Sequence, residues 1–268
     1  MTARYAHAFA ALVRRDLQIF LSYKFAVFSM ALSSIFSLTL FHFVSRLVHV
    51  QNFRSADDYY SFVVVRLVIL QVLTSTLAFP STTLRQELVA GTFERLLLSP
   101  FGGVAAILAL LIFPLLRGIV LGIVTLGVAT VLFGMHIAWS TAAFAIPVAA
   151  LGALAFAPFG LLMLGVTLMV KQAVAGSNYI VAGFSLVAGL YFPISLLPGW
   201  VRWMSDVQPF TPAADLLRHL LVGTRLSHSV WSEVLRIAAF AIVLLPPMIL
   251  FVDRALRFAR RRGTLIEY

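Results

Sequence analysis

The chain has 268 residues, 61% of them hydrophobic and 11% charged, with a net charge of +10 and a mean hydropathy of +0.99. A soluble domain is about half apolar and a quarter charged, so this composition excludes an ordinary soluble fold and points to one all-α integral membrane domain of about six spans. It leaves no room for a second folded soluble domain, and the absence of cysteine excludes disulfides and thiolate metal sites.

Residues 1–24 come first. Phe9, Val13, Leu17 and Phe20 recur at helical spacing while Arg14, Arg15 and Gln18 point elsewhere. This pattern predicts an amphipathic helix along the membrane surface. Asp16 falls on its apolar side, either solvated or in a salt bridge to a basic residue such as Arg85 or Arg95. The first long apolar run starts near Phe25 and lasts about twenty residues, too long for a cleaved signal core. The first span is expected at 25–45. A polar loop with Arg46, His49, Arg54, Asp57 and Asp58 follows, and Asp57 and Asp58 are candidates to neutralise its arginines. A second span at 61–80 ends at Pro80.

The charged stretch RQELVAGTFERLLLSP, 85–100, then interrupts the apolar sequence. Phe93, Leu96 and Leu97 follow i, i+3, i+4 spacing, which predicts one short helix on the membrane face. Thr92 is placed to cap it, with Glu94 near its positive end and Pro100 as its stop. The apolar run 101–134 is longer than one span needs. It is either an interfacial helix feeding the third span or one long tilted helix. Gly118 and Gly122 give it a GxxxG face suited to close packing on a neighbour. After a turn at His136 and Trp139 a fourth span, 142–170, carries a small-residue face of Ala149, Gly152, Ala153 and Ala157. A fifth span is expected at 177–195.

Segment 192–225 is half apolar and broken by Pro193, Pro198, Pro209 and Pro212. It reads as two short helices dipping into the outer leaflet, the second capped by Thr211. Irregular backbone at that depth must be shielded by protein or line a wet cavity. A sixth span at 234–252 precedes an arginine-rich tail. With six spans and the N-terminus inside, the inner segments hold Arg4, Arg14, Arg15, Lys24, Arg85, Arg95, Lys171 and five tail arginines, against Arg46, Arg54, Arg202, Arg218 and Arg225 outside. That asymmetry predicts cytoplasmic termini and puts 85–100 on the cytoplasmic side. It also accounts for the net charge without nucleic acid as a partner.

Arg66 interrupts the second span and Arg117 the third. A charge at the bilayer centre costs about 2.5–3.5 kcal/mol on insertion scales. Each is expected to snorkel to its nearer interface, or else to meet an anionic part of a substrate or lipid. No phosphate-binding G-x-x-x-x-G-K-[ST] motif, zinc-protease HExxH or G-x-S-x-G elbow occurs, so the chain has no P-loop of its own and no evident nucleophile. Intramembrane acids are nearly absent, which weakens an ion-coupled carrier or self-contained channel. An intramembrane lipid-modifying enzyme would have to be built from Arg66, Arg117 and His42.

GTFERLLLSP resembles the G-T-x-E-x-L-L-x-[ST]-P signature of permease subunits of type 2 ABC exporters, through Gly91, Thr92, Glu94, Leu96, Leu97, Ser99 and Pro100. A second stretch, 191–218, is similar to that family's F-P-x-x-x-L-P-x-W and P-[FL]-T-x-x-x-x-x-x-R segments. Here Tyr191 precedes Phe192, Pro193, Leu197, Pro198 and Trp200, and Pro209, Phe210, Thr211 and Arg218 follow. Gln208 stands where the family often has Asn, and Arg66 is not expected from the family. The resemblance implies one permease domain, 1–268, in the inner (plasma) membrane. It also implies a second permease chain, in a homodimer along the first and fifth spans, and two copies of a separate ATP-binding subunit that hold ATP and Mg. In that arrangement 85–100 is the coupling helix, with Phe93, Glu94 and Arg95 at the docking surface, 192–225 is the outer gate, and this chain does no chemistry and carries no cofactor or metal. The implied cargo is an amphiphile: a drug, a lipid or a lipid-linked glycan.

Overall fold

The computed structural model describes residues 2–47, 55–98, 102–170, 173–187, 198–206, 208–226 and 228–262. All its elements are α-helices: α1 (Thr2–Ser22), α2 (Lys24–Leu47), α3 (Ala56–Val89), α4 (Phe93–Leu97), α5 (Gly103–Phe133), α6 (Trp139–Met169), α7 (Ala173–Val187), α8 (Gly199–Asp206), α9 (Phe210–Val222) and α10 (Val230–Arg262). Five of them, α2, α3, α5, α6 and α10, are long and apolar enough to cross a membrane. α7, on the fifth expected span, is shorter at 15 residues.

The long helices overrun the expected spans because nothing in the sequence stops them. Ser55 caps α3 by accepting the Asp58 N–H at 3.1 Å. Asp57 and Asp58 lie in its first turn, where negative charge complements the helix dipole. Pro80 does not end α3; the helix continues to Val89. A proline inside a membrane helix is tolerated when neighbours cover the backbone it disturbs. The 101–134 run resolves as one long helix, α5.

α3 is the central post. Its buried residues include Val64, Val65, Ile69, Leu73 and Leu77, and it packs on α5, α6, α7 and α9. The GxxxG face of α5 does pack on a neighbour. A Cβ at Gly118 would lie 3.1 Å from the Val72 Cα, and one at Gly122 would lie 2.8 Å from a Val68 methyl, so only glycine admits this approach to α3. The small face of α6 meets α9, with Gly152 facing Ala213.

Two buried clusters divide the bundle lengthwise. One gathers Phe156, Phe210, Leu73, Leu77 and Ile237. The other gathers Leu84, Leu88, Phe93, Ile107, Leu110, Leu161, Leu168, Val252 and Leu256 at the α4 end. That second end also carries the last turn of α10, with Arg260, Arg261 and Arg262. α2 stands apart. Only Leu38 and Ser45 of it are buried, while Phe25, Phe28, Phe36, Leu40 and Phe43 are exposed.

Candidate functional site

The α3–α4 turn is built by its own sequence. α3 ends on Ala90, and Gly91 adopts a left-handed φ of 66°. The Gly91 N–H donates to the Leu88 carbonyl at 3.1 Å and the Thr92 N–H to the Glu87 carbonyl at 3.0 Å. This is the paired closure in which a left-handed glycine terminates a helix, and it gives Gly91 a structural reason. Thr92 does not cap α4 as expected. Its hydroxyl turns back to the Glu87 carboxylate, which binds Thr92 to the end of α3.

α4 then lies as a five-residue helix held by one side chain. Phe93 is 1% exposed within the second cluster, against which Leu97 also packs. Glu94 and Arg95 are exposed. Glu94 sits in the first turn of α4, where its charge suits the helix dipole. Leu96 belongs to α4; Pro100 lies outside the described residues. α4 thus combines an anchored apolar base with two opposite charges exposed on its surface.

α1 is tied to this turn by an ion pair that sequence reasoning placed on the wrong residue. Arg15 bridges to Glu87 at 3.0 Å and to Asp16 at 2.8 Å. Asp16 takes its neighbour, not Arg85 or Arg95. Burial pushes the Asp16 carboxyl above the ordinary carboxylate range, against the opposing pull of Arg15. Arg15 reaches α3 because a long side chain beside the apolar stripe can span to the next helix, which a wheel diagram does not show.

Segment 198–226 holds two short helices, α8 and α9. α8 is exposed along Trp200 and Trp203, and Pro198 before it is exposed as well. α9 is shielded by protein. Phe210, Ala213, Leu216 and Leu217 are buried, with Phe210 6.1 Å from the Phe156 ring centroid. Pro209 precedes α9 and no side chain caps it; the Thr211 hydroxyl is buried without a partner. Pro212 falls in the first turn, where a missing N–H is harmless. The far end of α9 is closed from outside, since its Leu221 carbonyl accepts the Ala138 N–H at 2.9 Å and its Leu220 carbonyl the Thr141 hydroxyl at 2.6 Å. Tyr191, Phe192, Pro193 and Leu197 lie outside the described residues.

Arg66 does not snorkel. It is 4% exposed, and its guanidinium lies 4.1 Å from the Phe62 ring centroid. Arg218 approaches the same ring at 5.0 Å and pairs with Asp215 at 2.9 Å. The two cations thus share one phenyl ring, which pins α9 to α3. Arg117 leans toward α1, its guanidinium 4.2 Å from the Phe79 ring and 5.4 Å from the Phe20 ring. His42 packs instead among Tyr60 and Phe133. The trio of a lipid-modifying enzyme is therefore not assembled, and among the described residues no group of acids and histidines could hold a metal ion.

Five apolar membrane-length helices without a strand among the described residues, with a short helix between two of them, define a multi-pass helical membrane protein. The sequence matches the ABC-2 type transporter family over residues 7–222, and the chain belongs to that family, as a membrane subunit. It is also similar to nodulation protein J of Rhizobium meliloti (strain 1021), at 24% identity over 90 residues; that match spans 34% of each chain.

Proposed function

We propose that this chain is the permease subunit of an ATP-driven exporter, with six spans and both termini in the cytoplasm of the inner (plasma) membrane. Two copies meet along α2 and α7, and two copies of a separate subunit bind ATP and Mg. α4 is the coupling helix. The observation that carries this reading is the form of α4: Phe93 fixed in the bundle, Glu94 and Arg95 presented outward.

In this mechanism ATP draws the partner subunits together and pushes on α4. Phe93 is locked among Leu84, Leu88, Ile107 and Leu110, so α4 does not slide but tilts the ends of α3 and α5. The Arg15–Glu87 bridge carries the same motion to α1. The unpartnered face of α2 supports a contact with a second copy, since Phe28, Phe36 and Phe43 make it broad and aromatic. Segment 192–225 forms the outer gate, and the cargo is an amphiphile.

The test is co-purification with an ATP-binding protein, then reconstitution of the complex in liposomes. Glu94→Arg is expected to lower ATP-driven transport at least tenfold with the melting temperature of the chain unchanged, because Glu94 is exposed. Transport by the chain with no ATPase present refutes the proposal.

A further inference from the structure

A groove lies between α2 and the α3–α5 pair. It measures about 430 Å³, and Ser33, Ser34, Gln71, Thr74 and Arg117 supply its polar lining. Leu70, Ala78 and Leu121 supply apolar wall. That volume lies within the range of small-ligand sites.

Arg117 dominates this groove electrostatically. Its Nη2 donates only to the Met30 sulfur, at 3.1 Å, a weak acceptor. Its Nε is buried and has no partner. Among the described residues no carboxylate pairs with it; the remaining neighbours are the faces of Phe79 and Phe20. Arginine keeps its charge in proteins, and a guanidinium within a membrane is otherwise paired or wetted. Arg117 lines a groove whose other lining residues offer hydroxyls, a carboxamide and apolar wall but no countercharge.

Depth narrows the class of ligand. Phe79 and Phe113 are each ten residues from the α4 end of their helices, about 15 Å at 1.5 Å per residue. Phe20 of the surface helix α1 touches the Phe113 ring, with centroids 6.0 Å apart. The guanidinium thus stands beside α1, whose amphipathic pattern suits the layer where headgroups give way to acyl chains.

We infer that this groove binds the head of an acidic amphiphile, a phosphate or carboxylate on an acyl chain, with Arg117 as its countercharge and Ser33, Ser34 and Thr74 available to its remaining oxygens. A free inorganic anion would leave the apolar wall uncovered, and a neutral lipid would leave the charge unmet. The inference rests on the membrane placement of the bundle and not on coupling to an ATPase. Its failure leaves the Glu94→Arg test standing, and the reverse also holds.

The purified chain in maltoside micelles is titrated with dioleoyl phosphatidic acid, dioleoyl phosphatidylcholine, dioleoylglycerol and inorganic phosphate, read by thermal shift. Phosphatidic acid is expected to stabilise the chain and the other three to do so at least tenfold more weakly. Arg117→Gln is expected to weaken phosphatidic acid about tenfold or more, as loss of a charge-assisted fork does, and Arg117→Lys to recover part of it. Thr74→Trp, which fills the exposed side of the groove and leaves Arg117 in place, is expected to weaken it as well and serves if Arg117→Gln does not fold. Equal stabilisation by inorganic phosphate or by the neutral lipids overturns the inference. So does phosphatidic acid binding within twofold of wild type in either Arg117→Gln or Thr74→Trp.

Discussion

Alanine at Gly160 would put one methyl group where α6 crosses α3. Its Cβ would sit 2.4 Å from the Thr76 carbonyl oxygen and 3.0 Å from a Leu111 methyl. An ordinary carbon–oxygen contact is about 3.3 Å or more, so the helices must part by roughly 0.9 Å. Thr76 has no slack: it is fully buried, and its hydroxyl already bonds the Val72 carbonyl at 2.8 Å. Its carbonyl is also the one that Pro80 leaves without an i+4 donor, so the close passage of α6 covers an otherwise bare oxygen. Forced expansion of a packed core costs about 1–3 kcal/mol, and the helical preference of alanine over glycine returns up to about 1 kcal/mol. Gly127, which has nothing within 4 Å of a built Cβ, isolates that second effect. Gly160→Ala is therefore expected to be less stable than Gly127→Ala by about 2 kcal/mol, close to the overpacking cost itself. For a chain of this length that is a melting temperature roughly 4–8 °C lower, read by thermal unfolding in micelles. Equal melting temperatures for the two variants would refute the claim that α3 and α6 are in backbone contact.

Gly91→Ala meets open space but must hold φ near 66°, which costs an L-residue about 1–2 kcal/mol; the melting temperature should fall while Gly103→Ala, which instead collides with Leu256 at 2.4 Å, falls through packing. Glu87→Ala removes both the Arg15 bridge and the acceptor of Thr92. Partial exposure of the pair limits the combined loss to about 1–2 kcal/mol, and faster proteolysis within 85–98 should accompany it. Asp16→Asn should do the opposite. Because burial raises the folded carboxyl, the folded state holds that proton more tightly than the unfolded one. The resulting stability is full below the unfolded pKa and is lost as pH rises through the folded one. At neutral pH the charge is a net cost, so Asp16→Asn should leave the melting temperature equal or higher and flatten its decline as pH rises through the acidic range. A lower melting temperature at pH 7 would contradict this sign.

What the sequence made legible was what its periodicity and its breakers encode. α1, α2, α5 and α6 follow directly from apolar spacing and length. The helical form of 93–97 follows from Phe93 and Leu97, and the packing role of Gly118 and Gly122 from their spacing. Pro80 misled, because rules for helix ends assume water, and inside a bundle a neighbour can cover the carbonyl a proline exposes. Thr92 and Thr211 misled because a hydroxyl at a helix start need not cap it: Thr92 turns back to Glu87, and the Thr211 hydroxyl is buried without a partner. Arg66 and Arg218 meet across Phe62 although 152 residues separate them, and no local pattern signals such a pairing. Arg15 and Glu87 form a bridge for the same kind of reason.

All four tryptophans are exposed, and all belong to one end of the bundle: Trp139 at the start of α6, Trp200 and Trp203 on α8, and Trp231 at the start of α10. Indole rings favour the headgroup layer. The Trp end is therefore the one suited to mooring in a headgroup layer, while the opposite end carries Arg260, Arg261 and Arg262. Under the proposed mechanism, force arriving at that opposite end would leave the Trp end at its height, and the helices would pivot about it like masts stepped in a fixed deck.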